Sequence, residues 1–143
     1  MGRSNMIDFN ECIAKGFLAR IPASREKAVQ SIEKAKELLE EAKANLKEER
    51  INSTVIVAYL AIFHAARALL FKDGYREKSH ECVIRYLEEK YPELKTEQIE
   101  ALEKYKSERT HTQYDVSYNP NEDQAEKMVK FTEKFIQTIE EML

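Results

Sequence analysis

Glycine and proline occur only three times each in this chain, and tryptophan not at all. A small sandwich or barrel turns about every ten residues and draws those turns largely from glycine and proline, so that class is excluded. Two of the three glycines, Gly2 and Gly16, lie near the start, which leaves no glycine-rich loop to cradle a phosphate. The only cysteines, Cys12 and Cys82, are far apart and lack a CxxC companion. That pattern argues for a reducing compartment and against a disulfide scaffold or a cysteine-based zinc site, and both read as small buried hydrophobes. The three histidines are scattered, none in an H-x3-H pair, and His80 with Cys82 cannot complete a tetrahedral site, so neither a metal nor a cofactor is expected. Excess positive charge is absent as well. With a net charge of −3 and a pI near 5.7, any contact with RNA requires a local basic patch.

What is abundant is charge of both signs, 34% of residues, distributed with helical periodicity. The 143 residues suffice for one core that buries roughly two-thirds of the unfolded surface. Residues 1–5 carry no structural pattern. Ile7, Phe9, Ile13 and Phe17 give a modest amphipathic helix that breaks at Ile21-Pro22, so residues 1–23 read as an N-terminal segment and 24–143 as the domain. A long helix opens near Ser24 with Ala28, Ile32, Ala35, Leu39, Ala42 and Leu46 on one seam, and its Lys/Glu-rich remainder reads as a solvated face. Asn52 or Ser53 caps the next, which runs to about Lys72 and stops at Asp73-Gly74. Ser79 caps a shorter helix that ends before Pro92. Thr96 caps another, whose stripe of Ile99, Leu102, Tyr105, Arg109, Thr112 and Val116 faces inward. Asn121 and Gln124 form a capping box for the last helix, with Ala125, Met128, Phe135, Ile139 and Met142 on its buried side. The expected fold is all-α: an up-and-down antiparallel bundle of four long helices plus two short ones.

The helix from Val55 to Phe71 has 17 residues that are apolar around the whole circumference except for His64 and Arg67. It is expected to be the most buried helix, with Leu60 and Phe63 in the core. Its length is at the short limit for a membrane span, and its two polar residues favour a bundle core, so no membrane is expected; Asp8 and Glu11 stand where a signal peptide needs an apolar stretch, and the protein reads as cytoplasmic. His64 and Arg67 sit three apart on one face. Two further clusters could carry chemistry: Lys78-Ser79-His80 after the glycine turn, and Arg109 to Asp115, in which Arg109 faces Gln113 and His111 faces Asp115. An arginine beside a histidine or tyrosine suits phosphodiester chemistry, because guanidinium stabilises charge on phosphate while a neighbour moves a proton. On that ground Arg109, His111 and His64 are the catalytic candidates, and Arg67, Lys78, His80, Tyr114 and Asp115 the candidates for binding nucleotide or RNA. Each has a plain alternative. His64 can be a satisfied core histidine, Arg67 can pair with a carboxylate, Lys78 and His80 can serve a helix start, and Tyr59, Tyr105 and Tyr114 can be core aromatics with a hydrogen-bonded hydroxyl.

The stretch AYLAIFHAARALLFKDGYREKSHECVIRYLEEKY followed by ERTHTQYD resembles the HEPN domain, especially its small stand-alone archaeal and bacterial members, and the likeness runs from IPASREKA through the last helix. The resemblance implies a helical bundle, commonly a homodimer, often encoded beside a minimal nucleotidyltransferase as a toxin–antitoxin-like pair. In active members an arginine followed, after four to six residues, by a histidine cleaves RNA without metal in a dimer cleft. Arg109 matches that arginine, but positions 114 to 116 are Tyr, Asp and Val, and His111 comes too early. The resemblance therefore implies a binding protein with a degenerate motif, a ribonuclease that uses His111 or His64 instead, or a non-catalytic interaction module. In some members a nucleotidyltransferase adds AMP to a tyrosine just after the motif histidine; Tyr114 and Tyr118 lie nearby without reproducing that spacing.

Overall fold

A computed structural model describes residues 6–143; residues 1–5 lie outside it. The elements in chain order are α1 (Phe9–Ala14), β1 (Leu18–Arg20), α2 (Arg25–Lys47), α3 (Ile51–Asp73), β2 (Tyr75–Glu77), α4 (His80–Lys90), α5 (Thr96–Tyr114) and α6 (Glu122–Met142). Long helices dominate, as the periodicity requires, and α3 is the central one, packed by α2, α6 and α5. The seam of α2 is buried from Ala28 to Ala42, with Leu46 only partly covered, and α6 buries Ala125, Met128, Phe135 and Ile139. By length and composition α3 could cross a membrane, yet most of it is buried inside the bundle.

Helix ends follow local chemistry. Ser24 Oγ accepts from the Lys27 N–H, Ser79 Oγ from Cys82 N–H, and Asn121 exchanges backbone and side-chain bonds with Gln124. Two expected caps are displaced. α3 starts at Ile51 behind Arg50, with no side-chain cap bond, so Asn52 and Ser53 fall inside its first turn. Thr96 is likewise the first helical residue behind Lys95, whose N–H is held by Gln98 Oε1. In α1 the buried residue is Cys12, while Ile13 is 41% exposed, because a helix this short is oriented by its partner rather than by its own apolar face. The inward stripe of α5 ends at Tyr105; Val116 lies beyond the helix and fully in solvent.

α3 is not buried all round. Ala58, Ala61, Ala65, Leu69 and Leu70 are sealed, but Leu60 is 37% exposed and Val57, Phe63, His64 and Arg67 are half-buried. The bundle covers α3 on three sides and leaves a strip open, which residue hydrophobicity alone does not reveal.

The two cysteines form a disulfide, contrary to the reading as separate thiols, and the cysteine pattern therefore gives no support to a reducing compartment. They are 70 residues apart in sequence, and the packing of α1 on α4 brings their Cα atoms to 5.8 Å, within bonding reach. The two short strands were also illegible in the sequence, since three residues cannot show a period of two. β1 and β2 pair antiparallel, Leu18 opposite Glu77 and Arg20 opposite Tyr75. Gly74 makes this ribbon possible: its φ is 87°, and a Cβ there would stand 2.8 Å from the Ile21 carbonyl oxygen. Beside it, Asp73 accepts from the Tyr86 hydroxyl at 2.8 Å and from Tyr91 at 2.6 Å, fastening the end of α3 to α4. Arg85, 3% exposed, is paired with Glu103 at 3.0 Å and Glu81 at 3.5 Å and links α4 to α5.

Candidate functional site

The ribbon fixes where α4 begins, and the Ser79 cap fixes the direction of its first residue, His80. From there the imidazole reaches α3. His80 Nδ1 lies 2.9 Å from the Tyr59 hydroxyl, and the ring stacks on Phe63 with centroids 4.0 Å apart and planes 9° from parallel. On the other side of Tyr59, the Arg109 guanidinium from α5 sits 4.8 Å from the ring centre. Three helices thus meet in a single cluster, α3 with Tyr59 and Phe63, α4 with His80 and α5 with Arg109.

Its electrostatics are unusual. Arg109 donates to Gln113 Oε1 at 3.2 Å, one turn further along α5, but forms no ion pair with a carboxylate among the described residues. Its Nε is buried and has no hydrogen-bond partner. Burial, together with the charges of Arg109, Lys106 and Arg67, pushes the His80 imidazole down to about 4, so it is neutral at physiological pH. Burial lifts the Tyr59 phenol to about 12 against the opposing pull of Arg109. With a cation beside the phenol and a neutral ring opposite, the hydroxyl donates to His80 Nδ1, which leaves the ring proton on Nε2. The His80 lone pair is thereby engaged. What the arrangement offers a ligand is a half-buried guanidinium without a counter-ion, on a rigid aromatic base.

The candidates from sequence separate in space. Arg109 and His80 share the cluster, and Arg67 flanks it, 5.4 Å from the Phe63 ring centre and 3.1 Å from Glu77. His64 is half-buried beside Phe63, its carbonyl accepting from Ser31 Oγ, and burial with the Arg67 and Lys34 charges lowers its pKa. His111 is exposed at the end of α5, 3.9 Å from Asp115 and near the Tyr118 ring. Neither histidine takes part in the contacts of Arg109. Asp115 accepts from the Ser117 backbone N–H and hydroxyl, which lower its pKa, and so holds the turn after α5. Tyr114 is 69% exposed, and Lys78 is exposed where its N–H closes the ribbon onto the Phe17 carbonyl.

Tyr59 and Phe63 belong to the cluster without standing among the site residues expected from sequence, and Lys106, paired with Glu81 at 3.4 Å, adds its charge nearby. The signal was present: Tyr59, Phe63, Arg67 and Phe71 recur every four residues and share a side of α3. The HEPN domain model matches residues 28–142 of the chain. No curated protein matches it.

Proposed function

Because the chain belongs to the HEPN domain family, we propose that it is a nucleotide- or RNA-binding protein whose site is the Arg109–Tyr59–His80 cluster and whose catalytic motif is degenerate. The observation that carries this reading is the unneutralised guanidinium of Arg109, half-buried on the Tyr59 ring. Leaving it without a carboxylate costs stability unless an anion arrives, and a phosphodiester supplies both the charge and paired acceptor oxygens. Cleavage would need groups that exchange protons near neutral pH. His80, depressed to about 4 and bonded to Tyr59, and Tyr59, raised to about 12, are poorly matched to that task.

In this reading residues 24–143 are the working domain, with residues 6–23 clasped to it, and the protein works in the cytoplasm, where RNA is found. A second copy of the chain covers the open strip of α3 at Val57 and Leu60, and a minimal nucleotidyltransferase is the functional partner, as in the toxin–antitoxin-like pairs of the family.

The test is fluorescence anisotropy with a labelled single-stranded RNA. Binding is expected to weaken as salt rises, Arg109→Ala to lose at least tenfold in affinity with little change in unfolding midpoint, and the RNA to remain intact in EDTA. RNA cleavage that persists in EDTA and disappears with His80→Ala, His111→Ala or His64→Ala overturns the non-catalytic reading in favour of a ribonuclease. Absence of binding, with a destabilised Arg109→Ala, leaves an interaction module whose buried charge is structural.

A further inference from the structure

The cluster around Arg109 is one end of a longer row. Arg67, two turns along α3 from Tyr59, lies between two rings, 5.4 Å from the centre of Phe63 and 5.1 Å from that of Phe71. Phe71 is also met by Lys27 of α2, 6.0 Å from the ring centre. Three cations and four rings therefore form a continuous row: Arg109 on Tyr59, Tyr59 against neutral His80, His80 on Phe63, then Arg67, Phe71 and Lys27. The rings come from one four-residue recurrence on α3, whereas the cations at the two ends are brought by α5 and α2.

This arrangement fixes what the row can hold. The rings are met by cations or by His80, so they are not platforms for stacking bases; they brace the charges beside them. Lys27 is exposed and, like Arg109, forms no ion pair among the described residues, while Glu77 is the carboxylate bonded to Arg67. At 1.5 Å per residue, the helix places Arg67 about 12 Å from the Tyr59 level and Phe71, with Lys27, about 6 Å further. A mononucleotide spans one of these stations. Only a chain of phosphates reaches all three, and a single row following one helix matches one backbone rather than two.

We infer that the site continues along α3 to Lys27 and takes single-stranded nucleic acid several nucleotides long, with Lys27 as a phosphate contact remote from Arg109. The inference rests on the binding reading above. Lys27 lies just outside the matched residues 28–142, so its role is argued from geometry alone.

The full chain is titrated with fluorescein-labelled oligoadenylates of two and eight nucleotides and with a duplex containing the eight-nucleotide strand. Lys27→Gln is compared with Lys127→Gln, an equal charge change at an exposed position of α6. The eight-nucleotide strand is expected to bind at least tenfold more tightly than the two-nucleotide one. Lys27→Gln should weaken it threefold or more and reduce the salt slope by about 0.7, the value of one single-strand phosphate contact, while leaving the short strand unchanged. Lys127→Gln should change neither. Equal affinity for both lengths, equal effects of the two lysine changes, or tighter binding of the duplex overturns the extended row while leaving the Arg109 site standing. If neither strand binds, or if Arg109→Ala has no effect on either, the binding reading itself fails and the extension with it.

Discussion

Phe63 and His80 lie face to face, 4.0 Å between ring centres, although 17 positions separate them in the chain. This contact joins the open strip of α3 to the first residue of α4, and it shields one face of the imidazole from water. Burial of the ring disfavours the charged imidazolium, in the same direction as the neighbouring cations.

The pH dependence of stability follows from that depressed pKa. Above about 6.5 His80 is neutral in both the folded and unfolded chain and contributes no slope. As pH falls from there towards about 4 the unfolded chain takes up the proton first, so stability is lost across that window and the His80 contribution levels off below it. His64, also lowered, adds loss of the same sign. Denaturation across pH 4 to 7 should show a shallower decline for His80→Gln than for the parent, and NMR should place the His80 titration well below 6.5, the ordinary imidazole value. Equal slopes and a His80 titration near 6.5 would show that the ring is not desolvated as described.

Leu69 is sealed in the bundle whereas Leu60 is 37% exposed on the open strip. Leu69→Ala should cost about 2–5 kcal/mol in chemical denaturation, and Leu60→Ala well under about 1.5 kcal/mol. If a second copy covers the strip, Leu60→Asp should convert a dimer to a monomer in sedimentation at micromolar concentration, with the monomer still folded. A parent protein that is monomeric at tens of micromolar excludes that interface.

Cys12 and Cys82 close a loop of 70 residues and are both fully buried. The native protein should therefore resist thiol alkylation until it is denatured and reduced. A paired Cys12→Ser, Cys82→Ser variant should lose up to about 4 kcal/mol, the loop-closure entropy expected for this separation. Ready alkylation of both cysteines in the native, unreduced protein would contradict the bond.

By itself the sequence determined the helices: the four-and-three spacing in α2 and α6, the caps at Ser24, Ser79 and Asn121, and the stop at Gly74 are local properties, set by side chains within a turn or two of one another. It also marked Arg109, through its place in the ERTHTQYD segment. Tertiary structure alone decided what Arg109 meets. His111 was adjacent in sequence yet remains in solvent, while Tyr59 and His80, 50 and 29 positions away, arrive by the packing of α3 and α4. The same holds for the disulfide and for the open strip of α3, because burial and long-range pairing depend on which helix covers which face, and an apolar helix carries no local record of the side left uncovered.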